Sequence, residues 1–199
     1  MSDVADTVQE AVDRARESRF NGIVAALVAV TATCMALGNV KDGNIVQAMQ
    51  QAQANGIDAW SYYQAKSTKQ HIAESMSDGL AIERDTRPGI TVEARAELEK
   101  KLSEIKSQVL AYEKDKAEIQ RRAEGYQKEY DRLNLHDDQF DMSDAALSIA
   151  IALFGISALT QKRWLLGMAT CFAMFGVLFE IAGFAGWGLH PDFLARLLG

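Results

Sequence analysis

Between Leu98 and Leu133, mostly apolar residues recur at intervals that alternate between four and three without a slip. The positions of this seam are Leu98, Leu102, Ile105, Val109, Tyr112, Lys116, Ile119, Ala123, Tyr126, Tyr130 and Leu133. This alternation is typical of a coiled coil. Because the residues between the seam positions are mostly charged or polar, we expect another helix to cover this single stripe.

A weaker seam with the same spacing runs from Ile45 to Leu80. Between the two seams, Pro88 and Gly89 predict a turn within residues 85–91. We therefore predict that the extramembrane region, residues 40–141, is an antiparallel coiled-coil hairpin. Parallel self-association of the second arm is the alternative.

The position of the turn determines which residues of the two arms face each other. Folding about residues 87–89 is expected to place Gly56 near Ile119 and to bring the Lys116 ammonium to the Trp60 ring in a cation–π contact. Thr91 is suited to cap the helix that follows the turn.

Three predominantly apolar runs cover residues 20–39, 142–160 and 164–187. Each is long enough, at about 19 residues or more, to cross a bilayer core of roughly 30 Å. The predicted fold class is therefore all-α, with three transmembrane helices and the hairpin. Residues 1–19 are predicted to form an amphipathic N-terminal helix, and residues 190–199 an interfacial tail.

Glycine and polar residues predict three interruptions of these helices. We expect an irregular junction at residues 38–44, where Gly38, Gly43 and two asparagines cluster. The Asn55-Gly56 pair predicts a further break, and residues 135–143 predict a linker that ends in a helix cap.

Basic residues flank the apolar runs unevenly. Arg14, Arg16 and Arg19 precede the first run, and Lys162 and Arg163 join the second to the third. With three spans, both groups lie on one side, so the positive-inside rule predicts a cytoplasmic N-terminus and a periplasmic hairpin. The predicted location is a bacterial inner (plasma) membrane.

The composition and motifs give few indications of a catalytic or ligand-binding site. A net charge of -6 argues against a nucleic-acid partner, and the two cysteines, Cys34 and Cys171, both lie in apolar runs. We find no phosphate-binding loop, nucleophile elbow or metal-ligand spacing, so we predict no catalytic, cofactor-binding or metal site and no enzyme. The acidic residues around His136 could attract a cation, but a solvated acidic linker is favoured.

One motif is specific. Trp60-Ser-Tyr-Tyr-Gln-Ala-Lys-Ser-Thr-Lys69, followed by Gln70-His71, resembles the hallmark of an uncharacterised family of bacterial membrane proteins. Those proteins are similar throughout, with one N-terminal span, a helical middle and two C-terminal spans. The resemblance implies a cell-membrane protein of unknown molecular function, and it supplies no catalytic residues.

The same motif contains the candidate interaction surface, which comprises Trp60, Tyr63, Gln64, Lys66, Lys69 and His71. In the first interpretation, its aromatic rings fill the hairpin opposite Tyr112 and Lys116. In the second, they form a docking surface for a membrane or periplasmic protein or for an anionic ligand.

Glu180 is the candidate functional residue within the membrane, because a carboxyl group at that depth is costly. It could line a pore or carry protons, or it could be a protonated or hydrogen-bonded residue between helices. Our leading hypothesis is a non-enzymatic scaffold or interaction module that forms a homo-oligomer. The small residues Ala25, Ala29, Thr33 and Ala36 of the first run would allow close helix approach. The alternative is an oligomeric ion channel or transport assembly with Glu180 on its pathway.

Overall fold

The computed structural model describes residues 2–189, and for residues 2–8, 11 and 13 it describes the helical backbone alone. Three helices follow in order: α1 (Ser2–Thr86), α2 (Val92–Thr160) and α3 (Arg163–Ala185). No strand occurs among the described residues, so the predicted all-α class is confirmed. The predicted interfacial tail at residues 190–199 lies outside the described residues.

All three helices contain a segment that is long and apolar enough, by length and composition, to cross a membrane. At about 1.5 Å per residue, α3 alone extends over roughly 35 Å, which exceeds the thickness of a bilayer core. The chain divides into two compact units. The three-helix unit contains the residues up to Ala48 and from Arg132 onward, and the hairpin unit contains Met49–Asp131.

In the three-helix unit, α1 packs against both other helices. Val24 of α1 forms the centre of the core with Ala150 and Phe154 of α2 and Ala169 of α3. The apolar side chains packed against this cluster are mostly small or aliphatic, which allows the three helices to pack closely. α1 runs antiparallel to α2, since Asn21 contacts Gln161 while Asp42 contacts Asp137.

Two glycines allow α3 to lie close to α2. A Cβ atom on Gly176 would be 2.7 Å from the Leu147 side chain, and one on Gly183 would be 2.7 Å from the Phe140 ring. The glycines are seven residues apart and therefore lie on the same face of α3. Close approach at two levels holds Phe140 and Leu147 almost fully buried.

The C-terminus of α3 is capped by Gly186 and by a side chain of α2. Gly186 has a positive φ of 68°, and the Trp187 N–H donates to the Ala182 carbonyl at 2.9 Å. The Gln139 amide, which is 0% exposed, donates to the carbonyl oxygens of Trp187 and Leu189 at 2.6 and 2.7 Å. Both carbonyls lie beyond the last residue of α3, so these bonds hold the chain that follows the helix against α2.

In the hairpin unit, the arms of α1 and α2 pack along the predicted seams. Ala52 and Ala73 of α1 are buried, as are Leu102, Ile119 and Ala123 of α2. Residues 87–91 connect the arms.

Both predicted turn features are confirmed. Gly89 has a positive φ of 72°, and the Thr91 hydroxyl accepts a hydrogen bond from the Ala94 N–H at 3.2 Å. These residues end one helix and begin the next within five residues.

The predicted register of the arms is wrong by three to seven residues. Gly56 faces Tyr126, seven residues beyond the expected neighbour Ile119. The Lys116 ammonium lies 5.2 Å from the centroid of the Tyr63 ring, and not over Trp60. Seam positions recur every three or four residues, so the pattern alone does not distinguish registers that differ by one or two such steps.

The predicted interruptions at residues 38–44, at Asn55-Gly56 and at residues 135–143 are also wrong. α1 and α2 are continuous through all three segments. Gly38 and Gly56 serve packing, because Glu180 and Tyr126 lie against them. The expected linker is helical because its Gln139 and Phe140 are buried in the three-helix unit.

Candidate functional site

Lys66 is the residue of the sequence motif that links the two arms most directly. Its ammonium group forms a salt bridge with the Asp115 carboxylate of α2 at 2.6 Å. It also lies 5.5 and 5.3 Å from the ring centroids of Tyr62 and Tyr112. The hydrogen bond to Asp115 raises the pKa of Lys66, and partial burial opposes the rise. These contacts keep the cation charged between two aromatic faces.

A second lysine, on the opposite arm, packs close to these residues. The Lys116 ammonium donates to the Gln70 side-chain oxygen at 3.1 Å and lies over the Tyr63 ring. Gln70 in turn donates to Glu74 at 2.8 Å, and this hydrogen bond is the main cause of the lowered pKa of Glu74. Each arm therefore contributes one lysine and at least one tyrosine to an alternating cation–aromatic cluster.

Trp60 lies at the edge of this cluster. Its ring meets the Tyr63 ring edge-on, with centroids 5.6 Å apart, and 42% of the residue is exposed. A groove of about 300 Å³ opens beside it, next to Gly56, with Tyr126 and Tyr130 on the facing arm. Because Gly56 has no side chain, the groove extends to the backbone of α1.

The other predicted surface residues are dispersed. Gln64 and Lys69 are exposed, and the His71 ring lies 3.1 Å from the Glu74 carboxylate on its own helix. The structure therefore brings Tyr63 and Lys66 into the hairpin, leaves Trp60 at its edge and leaves the other three on the surface. Tyr63 and Lys66 of the motif therefore take part in the pairing of the arms, and the docking surface of the second interpretation stays a prediction.

Glu180 is buried within the three-helix unit, with 5% of the residue exposed. Its Oε1 atom lies 3.1 Å from the position that a Cβ atom on Gly38 would occupy. A glycine in α1 is therefore what makes room for the carboxyl group of α3.

A group of aspartates forms at one end of the three-helix unit; the sequence indicates those around His136, but it does not indicate that Asp42 of α1 joins them. The Asp137 carboxyl of α2 lies close to Asp42 of α1, 95 positions away in the chain. Burial, together with the neighbouring carboxyl groups of Asp42, Asp141 and Asp138, raises the pKa of Asp137 to about 6. Only the pairing of α1 with α2 brings these residues together. Among the described residues, no group of three or more metal-ligating side chains has the geometry to hold a metal ion.

The opposite end of the same unit carries a group of lysines and arginines, and we call it the basic end. The Gln161 amide donates to the Asn21 side-chain oxygen at 2.8 Å, which places the connection between α2 and α3 beside α1. The arginines that precede Asn21 and the basic residues of that connection therefore lie at one end. They are Arg14, Arg16, Arg19, Lys162 and Arg163. Glu10 and Glu17 lie among these arginines, and Arg14 forms a salt bridge with Glu10 at 3.0 Å, so acidic residues are also present at this end.

Taken together, these features define a class of all-α proteins with three helices that could each cross a membrane and an extra helical hairpin. Within this class, the chain belongs to the family described as domain of unknown function (DUF4337), whose sequence model matches residues 20–186. The predicted membership of an uncharacterised family is confirmed. No curated protein and no solved structure matches the chain.

Proposed function

We propose that this protein is a non-enzymatic integral membrane protein of the bacterial inner membrane that forms a homo-oligomeric scaffold. The hairpin unit is the part presented to partners. The observation that carries the proposal is the contrast between the two units. One exposes large apolar side chains on all three helices, whereas the other exposes mixed charges and holds its arms together with a specific cluster.

The exposed side chains of the three-helix unit match a lipid environment. Those most exposed include Val30 and Leu37 of α1, Ile156 and Leu159 of α2, and Met174 and Leu178 of α3. In water such a surface would be unfavourable, because contiguous apolar area on a soluble protein is usually small. Trp164 and Trp187 are exposed near the two ends of α3, where tryptophan is enriched at membrane interfaces.

The charge distribution supports an orientation with the N-terminus in the cytoplasm and the hairpin in the periplasm. The basic end of the three-helix unit corresponds to the cytoplasmic side under the positive-inside rule. The acidic end, with Asp42 and Asp137, then corresponds to the periplasmic side.

An ion channel or transport assembly needs Glu180 to face a water-filled path. The close contact with Gly38 and the low exposure of Glu180 favour a role in helix packing instead. The scaffold is therefore our preferred function.

The scaffold is tested by reconstituting the full chain in lipid discs and measuring its mass and its ion flux. We expect more than one copy per particle and no flux for the wild type or for Glu180→Gln. Flux in the wild type that disappears in Glu180→Gln would contradict the scaffold and favour conduction. A single chain per particle would contradict the homo-oligomer.

A reporter fused at the turn near Pro88 tests the orientation. We expect activity from a reporter that works only in the periplasm and none from a cytoplasmic one. The same reporters fused at the connection between α2 and α3 are the matched control, and they should give the reverse result.

A further inference from the structure

An exposed stripe without charge follows the α1 arm of the hairpin unit. It steps by three or four residues, and its large members are Ile57, Ile72 and Ile82, which are 61%, 55% and 63% exposed. Between them lie Ser61, Gln64, Thr68, Ser75 and Gly79, all exposed. We call these eight positions the outer stripe. Steps of three and four keep a stripe on one face of a helix and are the spacing of a coiled-coil seam.

The outer stripe does not take part in the pairing of the two arms. That pairing uses a different face of α1, on which Ala52, Ala73 and Ser77 are buried. The helix therefore has two stripes with coiled-coil spacing, one covered by α2 and one uncovered. Three isoleucines along an uncovered stripe are a surface that a second helix would bury favourably.

The absence of charge restricts what the outer stripe can bind. Every exposed face of α2 between Val92 and Asp131 carries Glu, Asp, Lys or Arg side chains. Packing such a face on the outer stripe would bury charges without partners, which is costly. The complementary surface is another uncharged helical stripe. In the described part of the hairpin unit, the outer stripe of a second copy is the surface that meets this condition.

The part of α1 in the three-helix unit has a corresponding feature. There, Ala25, Ala29, Ala32 and Ala36 are exposed and follow the same steps of three and four. Small residues with this spacing allow two helices to approach closely in a membrane. This surface too is uncharged and is not covered by α2 or α3.

We propose that the outer stripe binds the outer stripe of a second copy of this chain, with the two α1 helices parallel and in register. The parallel direction rests on the proposed function, because copies anchored in one bilayer by the same three segments have the same orientation. In this arrangement Ile57, Ile72 and Ile82 each face their counterpart. Serine, threonine and glycine positions lie between these layers and let the helices come close.

Cysteine crosslinking of the full chain in lipid discs tests the proposal. Cys34 and Cys171 are first replaced by alanine, and Ser61→Cys or Ser75→Cys is then introduced alone. With a short bis-maleimide linker, we expect each variant to give a crosslinked dimer. Ser103→Cys, at an exposed position of α2, is the matched control and should stay uncrosslinked.

The direction of pairing is tested by mixing differently tagged Ser61→Cys and Ser75→Cys chains. Parallel pairing in register gives bridges between identical positions only. Bridges between position 61 and position 75, fourteen residues apart, would overturn the parallel arrangement.

A charge introduced into the outer stripe tests whether this stripe forms the contact between the two copies. Thr68→Asp added to Ser61→Cys should abolish the crosslinked dimer, whereas Ser107→Asp on α2 should leave it unchanged. Because Thr68 and Ser107 are both exposed in the single chain, helical content measured by circular dichroism should be the same in both variants.

The mass of the particles separates failure of this proposal from failure of the scaffold. Two results would overturn the outer stripe and remain consistent with the scaffold. One is particles with several copies but no bridge at position 61 or 75, and the other is bridges that survive Thr68→Asp. Particles with a single copy would overturn both.

Discussion

The side chain of Lys66 combines a salt bridge with contacts to two tyrosine rings, whereas Lys69, on the same helix, is exposed. We expect Lys66→Met to lower the melting temperature of the hairpin unit, because it leaves Asp115 without its cation and removes both cation–π contacts. Lys69→Met is the matched control and should leave the melting temperature unchanged. Thermal unfolding followed by circular dichroism measures both, and equal effects would contradict the assigned role.

Asp137 should make the stability of the three-helix unit depend on pH. Its pKa is about 6 in the folded chain and 3.8 in the reference state, so the folded state binds the proton more tightly. This contribution to stability is present below about pH 4 and is lost as the pH rises through about 6. At neutral pH, the ionised Asp137 faces Asp42, Asp138 and Asp141 and destabilises the fold.

We therefore expect Asp137→Asn to stabilise the protein at pH 7 by on the order of 1 kcal/mol, reduced from the full shift because solvent screens a partly exposed carboxyl. At pH 4 the variant and the wild type should be equally stable. Denaturant unfolding at the two pH values measures the difference. Asp58→Asn, at an exposed position of the hairpin unit, is the control and should change little. A gain that is the same at both pH values would contradict the role of the proton.

Some of these side-chain roles follow from sequence and others do not. Thr91 could be predicted as a cap because its partner is three residues away, and Gly89 because a turn needs a positive φ. Gln139 could not, since its partners Trp187 and Leu189 follow α3 and are about 50 positions away in the chain. The sequence around Gln139 is rich in aspartate and therefore predicts a linker. Only the tertiary structure shows the two carbonyl groups to which the Gln139 amide donates.

The helices pack through glycines that differ in the space around them. Gly176 is in contact with Leu147, and its added Cβ would also be 3.1 Å from the Ser143 carbonyl oxygen. Gly56 has more room, since an added Cβ would be at an ordinary distance of 3.7 Å from the Tyr126 Cβ. Both lie inside helices, where alanine is intrinsically favoured over glycine.

We expect Gly176→Ala to destabilise the protein, because an overpacking penalty of about 1–3 kcal/mol exceeds the gain in helix propensity. Gly56→Ala is expected to stabilise it by about 0.5–1 kcal/mol. Denaturant unfolding in detergent measures both. The opposite order of stability would show that the distances around these glycines do not control packing.

The prediction of the elements was successful where it depended on periodicity and failed where it depended on isolated residue types. The alternating spacing of Leu98–Leu133 predicts a paired helix, and α2 is helical over all of it. As residue types, Gly38 and Gly56 predict breaks, but a glycine inside a long helix can equally mark a close contact. The heptad repeat could not distinguish the register that pairs Gly56 with Ile119 from the one that pairs it with Tyr126, because both align the seams.

For the chain as a whole, the uneven charge at the ends of the apolar segments predicts how the orientation can be weakened. Replacing Arg14, Arg16 and Arg19 by glutamine removes positive charge within one helical turn or two of the first apolar segment. We expect a smaller fraction of molecules with the hairpin in the periplasm. Labelling of Ser107→Cys in a chain without native cysteines, by a reagent that does not cross the membrane, measures this fraction.

The control replaces Lys100, Lys101 and Lys106 by glutamine, which removes the same charge far from any apolar segment. Charges at that distance contribute little to orientation, so labelling should match that of the unaltered chain. Equal loss of labelling in both variants would contradict the proposed determinant.

The uninterrupted course of α1 from Ser2 to Thr86 restricts how this chain can change in length. The helix contains no loop that could accommodate an inserted residue. One inserted residue would therefore turn every later side chain of α1 by about 100° and rotate the seam of the first arm away from α2. Seven residues added to each arm would let the seams of the two arms face each other again. Natural variation in the length of the arms is therefore expected in matched blocks of seven residues, with single insertions confined to residues 87–91.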